Sequence, residues 1–539
     1  MPRPNPLPIV VCLALGGACW SPIANKESAD EEVYSILART TEQVTGQARP
    51  FVVERPIDTL RQRLERGREQ VRLDLQQALD VAAENSREFQ RQKEQLYLAA
   101  LNLTRNRHDF ATVFGAGGSG EVAGEADQTA DATLRDDLSA SSRSTSGMRI
   151  VGSFVNTFLR SVVHGGSFDG SSILNLTITQ PLLRGAGSRI VREPLTQSER
   201  DVVYAVRDFE RFRATFAVDV VSAYYDIVQQ MEDLKNVEAN YASVHSSRLQ
   251  TEELYAAGRR TISDLGREKQ SELTASNSRV QAQNRLASAL DRFKITLGLP
   301  TTAHVELDPG ELDNLVLRGV TEFRLDEQEA IELALARRYD YRTNVDEVED
   351  AGRRVVVAED ALRMSLDFTA ALNVPAEAGP GLNLDWSKVN WSAGFELDLA
   401  LDKLVERNAY RSALISFDSA MRARENAADG IASAIRTALR NIESAFASYT
   451  IQVEALKLAE TRVESTSELY AAGRTGALDV LDAKDALLQA QLNKTSAIID
   501  YAIARLELVR DLEGLALEAQ GLRFDPSLPM PTPSTEEKP

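Results

Sequence analysis

The stretch WSAGFELDLAL, residues 391–401, alternates with a period of two. On a strand, Trp391, Ala393, Phe395, Leu397, Leu399 and Leu401 share one face, and Ser392, Gly394, Glu396, Asp398, Ala400 and Asp402 share the other. Three carboxylates on one face suit water, not a packed core. An apolar opposite face that starts with a tryptophan suits lipid, so Trp391, Phe395, Leu397 and Leu399 form an expected outward face. SSILNLTITQPLLRGAG, residues 171–187, behaves likewise, with Leu174, Leu176 and Ile178 set against Asn175, Thr177 and Thr179. LDFTAALNV, residues 366–374, reads as a further strand. The expectation is two hairpins, within about 110–182 and 366–401, hence four strands. Four strands cannot close a barrel, and an open edge has no place in hydrocarbon. Copies of the chain must therefore pool their strands.

Long helices surround these strands. Residues 188–257 contain one proline and no glycine, enough for a helix of roughly 90–100 Å. Val220, Ala223 and Ile227, then Leu234, Val237, Tyr241 and Val244, step by threes and fours as in a coiled-coil seam. Leu439, Ile442, Phe446, Tyr449, Val453 and Leu456 repeat that spacing. Further helices are expected over about 71–109 and 326–364, and the last helix ends near Gly514. The fold class is mainly α with a small β part.

The chain also says nearly the same thing twice. ELYAAGRRTISDL, residues 253–265, recurs as ELYAAGRTGALDV, residues 468–480. Gly258 maps to Gly473, Asp264 to Asp479 and Lys269 to Lys484, each 215 positions on, so two tandem repeats are expected. Each copy is a helix-turn-helix whose glycine takes the left-handed position after a helix. Thr261 and Asp264 form a capping box for the next helix; Gly476 replaces that threonine in the second copy. Asp264 and Asp479 are first-turn carboxylates, which the helix dipole favours. Asp482 lies beyond the first turn on the face of Asp479, where two like charges need another reason.

The organisation follows. Residues 1–18 read as a secretory signal peptide, with an apolar run too short to span a membrane. LGGAC resembles a bacterial lipobox, which makes Cys19 a possible lipidation site. Residues 19–70 form an N-terminal arm, 71–300 the first repeat with its tip turn at 256–264, and 301–322 a connector. Residues 323–516 form the second repeat, with its turn at 471–479, and 517–539 a disordered Pro-rich tail. The Gly/Ser-rich stretch 115–170 reads largely as an extracellular loop, within which GMRIVGSFVNTFLRSVV, residues 147–163, either extends a strand or forms a small helix. A net charge of −19 argues against nucleic acid as a partner. Four scattered histidines, with no phosphate loop or nucleophile–base pair, argue against catalysis, a metal or a cofactor.

Three stretches carry a family resemblance. ITQPLLRGAGSRIVREPLTQSERD (178–201) resembles the strand-to-helix passage of TolC-like outer-membrane factors, and FAVDVVSAYYDIVQQ (216–230) resembles the helix that follows it. LYAAGRTGALDVLDAKDALLQAQ (469–491) is similar to their periplasmic tip. The resemblance covers roughly 71–516. It implies a homotrimer in the bacterial outer membrane, with four strands per protomer forming a twelve-stranded barrel continued by a periplasmic α-barrel. It also implies passive export, as the exit duct of an efflux or type I secretion system, with a periplasmic adaptor and an inner-membrane pump as partners beside outer-membrane lipid. Asp479 and Asp482 match aspartates that ring the periplasmic entrance, and Tyr470 and Asp264 match two members of a gate restraint. Thr475 stands where that restraint has an arginine, which leaves Arg474, Arg259 or Arg260 to serve. A reading without a channel is a secreted coiled-coil scaffold or surface stalk.

Overall fold

The computed structural model describes residues 21–67, 70–124, 130–161, 169–308, 310–318, 320–376, 384–518 and 521–524. The signal-peptide stretch, Cys19 and residues 525–539 lie outside them. The chain forms two units, each drawing on both repeats. One takes the chain up to Phe51 with Gln95–Val206 and Thr343–Arg424; the other takes Val52–Glu94, Arg207–Arg342 and the chain from Glu425.

Among the described residues the first unit holds an antiparallel sheet of six strands. They are β1 (Val113–Gly124), β2 (Ala130–Arg143), β3 (Arg149–Ser161), β4 (Asp169–Pro181), β5 (Ser365–Pro375) and β6 (Asn390–Asp398), in that spatial order. The four expected strands are thus six, and the expected loop at 115–170 is mostly strand. Gly115, Gly117, Gly118 and Gly120 of β1 carry too little hydropathy contrast for alternation to be read. Only pairing with β2 and β3 reveals it.

The register sorts the sheet into two faces. Phe114, Ala140, Gly152, Leu176, Leu372 and Trp391 form one row across all six strands. The next row, on the opposite face, is Gly115, Ser139, Ser153, Asn175, Asn373 and Asn390. Along this polar row the Asn373 amide donates to Asn175 Oδ1 at 2.8 Å. Trp391 and Phe395 are 76% and 69% exposed on the apolar face, and the Phe395 ring packs 5.4 Å from Phe368. Asp136, bonded by the Asn156 amide at 2.9 Å, interrupts the apolar face; Val155 and Ile173 interrupt the polar one. Leu399 lies past the end of β6, where Ala400 turns at φ 40° and donates its amide to Asp398.

The N-terminal arm contributes a helix, Pro22–Thr45, capped by Ser21, with proline at its start. Val33, Ile36 and Leu37 are buried, and Tyr97 of helix Arg87–His108 donates to Asp30 at 2.6 Å.

In the second unit the main helices are parts of α1 (Glu193–Ala256) and α3 (Leu404–Ala471), with α2 (Ile262–Thr296) and α4 (Ala477–Asp511). A core of Leu79, Tyr224, Ile227, Phe293 and Leu297 packs beside a two-stranded parallel ladder, Gln70–Leu73 with His304–Leu307. The helix expected over 326–364 is broken at Arg338, which leaves helical geometry and grips Asp340 through two hydrogen bonds of 3.0 and 2.6 Å.

Both repeats end their second long helix in the same turn. Gly298 takes φ 74°, and the Leu299 amide reaches back to Lys294; 215 positions on, Glu513 takes φ 54° and Gly514 reaches Val509. A glutamate pays for the left-handed turn by placing its carboxylate 2.6 Å from Arg211. A Cβ at Gly298 would lie 2.2 Å from the Asn85 carbonyl oxygen, whereas one at Gly258 would meet open space. Gly258→Ala is expected to cost about 1 kcal/mol and Gly298→Ala several times that. Heat denaturation of the detergent-solubilised variants, followed by circular dichroism, should give the lower midpoint for Gly298→Ala.

Candidate functional site

The duplicated turns lie in the second unit, between α1 and α2 and between α3 and α4. Gly258 and Gly473 sit at φ 70° and 72°, and Arg259 and Arg474 donate their amides five residues back, to Leu254 and Leu469, both at 2.8 Å. These bonds satisfy carbonyls left over at the helix ends. The Arg259 and Arg474 side chains are exposed.

Each following helix begins at a carboxylate cap. Asp264 accepts from the Thr261 amide at 3.1 Å and from its hydroxyl at 2.8 Å. Asp479 accepts from the Gly476 amide at 3.2 Å and from the Thr475 hydroxyl. The lost cap threonine is thus replaced from one residue earlier. In both, the threonine hydroxyl first and the backbone amide second hold the carboxyl below its ordinary value of 3.8. Asp482 is exposed one turn into α4. Burial, and then the charge of Asp482, push Asp485 upward.

Tyr470 joins the two turns. It is only 6% exposed, and the Arg260 guanidinium lies 3.9 Å from its ring centroid while donating to its carbonyl at 3.0 Å. The Tyr470 hydroxyl pairs with Thr251 at 3.1 Å. Of the arginines the sequence offered, Arg260 makes this contact; Arg259 and Arg474 stay in their own turns, and Asp264 stays in its cap. In the repeat, Arg260 corresponds to Thr475 and Tyr470 to the exposed Tyr255, so only one cation–aromatic link is built. Beneath it Glu268 is fully buried, with its carboxylate bonded by Ser247 at 3.4 Å. Burial raises its pKa, opposed by the charge of Lys484. Lys484 donates to the Ser243 carbonyl at 3.2 Å, and burial lowers its pKa. Sequence reasoning passed over Glu268, whose one signal was a glutamate where the other repeat has Ala483.

No helix among the described residues is long and apolar enough to cross a membrane. The sheet, apolar on one face and polar on the other, has the two-faced pattern of outer-membrane channel strands. Residues 330–512 match the model of the family described as outer membrane efflux protein. The chain is 20% identical to outer membrane protein TolC of Escherichia coli over 346 residues, 61% of this chain and 67% of that protein. It superposes on the Campylobacter jejuni CmeC outer membrane channel with TM-score 0.59 at 16% identity, covering 81% of this chain and 85% of that one. The outer membrane protein VceC of Vibrio cholerae gives TM-score 0.59 at 14% identity, covering 81% and 95%. The fold is that of an outer-membrane channel, mostly helical with an antiparallel sheet. Residues 330–512 thus match the outer membrane efflux protein domain, and the chain as a whole is similar to TolC and to solved outer-membrane channels. The proteins it resembles are outer-membrane channels with a periplasmic helical extension.

Two outcomes test the tip. In a double-mutant cycle, Arg260→Ala and Tyr470→Ala should couple by about 0.5–1 kcal/mol, and either alone should speed proteolysis between residues 257 and 261. The lowered carboxyls of Asp264 and Asp479 stabilise their helix starts above pH 3.8, and that contribution is lost as pH falls through their lowered values. Amide protection factors, corrected for the intrinsic exchange rate at each pH, should fall at the first turns of α2 and α4 on acidification, and Thr475→Val should move the onset in α4 to higher pH.

Proposed function

We propose that the chain is the passive outer-membrane exit duct of a tripartite efflux or type I secretion system. One observation carries the reading: a six-stranded antiparallel sheet with an apolar face, a polar face and two edges that no described residue of the chain pairs. In a scaffold or stalk, Trp391, Phe395, Phe114 and Leu138 would stand exposed to water with nothing to cover them. In a homotrimer whose sheets join edge to edge, the same residues face lipid, and Asn175, Asn373 and Glu396 line an aqueous lumen. TolC-like channels are homotrimers that work with a periplasmic adaptor and an inner-membrane pump, and the same partners are proposed here. The pump supplies the energy; the duct supplies a continuous polar path.

Asp479 and Asp482 are proposed as the cation-favouring constriction at the periplasmic entrance. Both carboxylates are exposed on one helix start, and three copies around an axis would concentrate negative potential. The Arg260–Tyr470 contact, with Thr251 behind it, is the proposed restraint that keeps the two turns closed. Asp264 is assigned mainly to its cap.

Single-channel recording of the Asp479→Ala/Asp482→Ala variant tests the constriction. The expected outcome is reduced preference for cations and weaker block by multivalent cations. Unchanged selectivity and block would remove these residues from the entrance.

A further inference from the structure

From the strand count and register we infer that each chain contributes six strands to the outer-membrane wall, so that three copies close a barrel of eighteen strands. The inference rests on the proposed trimeric duct and fixes the partner of each open edge: β6 of one copy pairs with β1 of the next.

Four observations converge. First, β1 and β2, at 12 and 14 residues, reach or exceed the 9–11 residues a tilted strand needs to cross the hydrocarbon. Second, their faces continue those of the other strands without a phase change. Phe114, Ala116, Leu134 and Leu138 share the face of Phe154, Leu174, Leu372 and Trp391; Ser139 shares the face of Ser153, Asn175 and Asn373. A hairpin standing clear of the membrane has no need of that match. Third, β2 pairs with β3 along its whole length, from Asp131 opposite Ser161 to Arg143 opposite Arg149. A barrel closed through β3 would have to break this ladder. Fourth, the two strands exposed along essentially their whole length are β1 and β6, the two ends of the sheet. Strands β1, β3 and β5 run one way and β2, β4 and β6 the other, so β6 meets the β1 of a neighbour antiparallel. That is the pairing a closed barrel with an even number of strands requires.

The consequence is a wider exit. With strands about 4.8 Å apart and tilted about 40°, twelve strands give a backbone radius of about 12 Å and eighteen give about 18 Å. The added hairpin also brings charge to the lumen face, in Glu121, Asp131, Arg135 and Asp137.

Disulfide cross-linking in the full-length, detergent-purified protein tests the edges, and electron cryomicroscopy of the same sample counts the strands. Ser392→Cys in β6 is combined in turn with Gly115→Cys, Gly117→Cys or Ser119→Cys in β1, in a Cys19→Ser background, with the corresponding single substitutions as controls. The expected result is an oxidant-dependent ladder up to trimer for at least one β1 partner, and eighteen strands in the map. The inference is overturned if Ser392→Cys instead links to Ser153→Cys of β3 in a neighbouring chain, or if a trimer shows twelve wall strands with the β1–β2 hairpin outside them. Those results leave the duct standing. A monomer without a closed barrel would remove the duct and the strand count together.

Discussion

An unpaired strand edge cannot remain in hydrocarbon, because its amide and carbonyl groups have no water to turn to. Both ends of the six-stranded sheet present such an edge, and the rest of the chain is arranged around that need. The strands are long enough to cross, and their faces are sorted in register. Helices join the sheet at one end, since β1 follows helix Arg87–His108, β4 precedes α1, β5 follows helix Tyr339–Asp360 and β6 precedes α3. Asp136 is a charge on the apolar face, and it is tied down by Asn156. A lone carboxylate there would be more costly than a hydrogen-bonded one.

The duplication matters most where the copies have diverged. A common turn needs the left-handed glycine, and Gly258 and Gly473 have kept it. Around it, Arg260 faces the ring of Tyr470, while Thr475 and Tyr255 at the matching positions form no such pair. Thr475 instead repairs the cap lost when Gly476 replaced a threonine. At the far ends of α2 and α4, Gly298 accommodates a close backbone approach, while Glu513 accepts strain and gains Arg211. One ancestral plan thus yields a tip with one link and not two, and acidic residues concentrated on one of its turns.

The buried charges follow a consistent physical logic. Glu268 is wholly enclosed, yet Ser247 bonds it and Lys484 lies near enough to favour its ionised form. Arg211 gathers Asp340, Asp511 and Glu513 within 3.5 Å. Breaking either set would strand a charge in low dielectric, which costs more than the intact pair contributes.

The sequence by itself determined the helices, the tip turns and three strands: β4, β5 and β6. Period-two contrast among Trp391, Phe395 and Glu396, heptad steps along α1, and a glycine followed six residues later by aspartate are all local signals. Tertiary structure alone decided the sixfold sheet, because Gly115 to Gly120 carry no side-chain contrast and acquire a face only by pairing. It also decided that Arg260, not Arg259 or Arg474, reaches Tyr470. Three arginines in two turns read alike on paper, and only the approach of α1 to α3 brings one guanidinium over the ring.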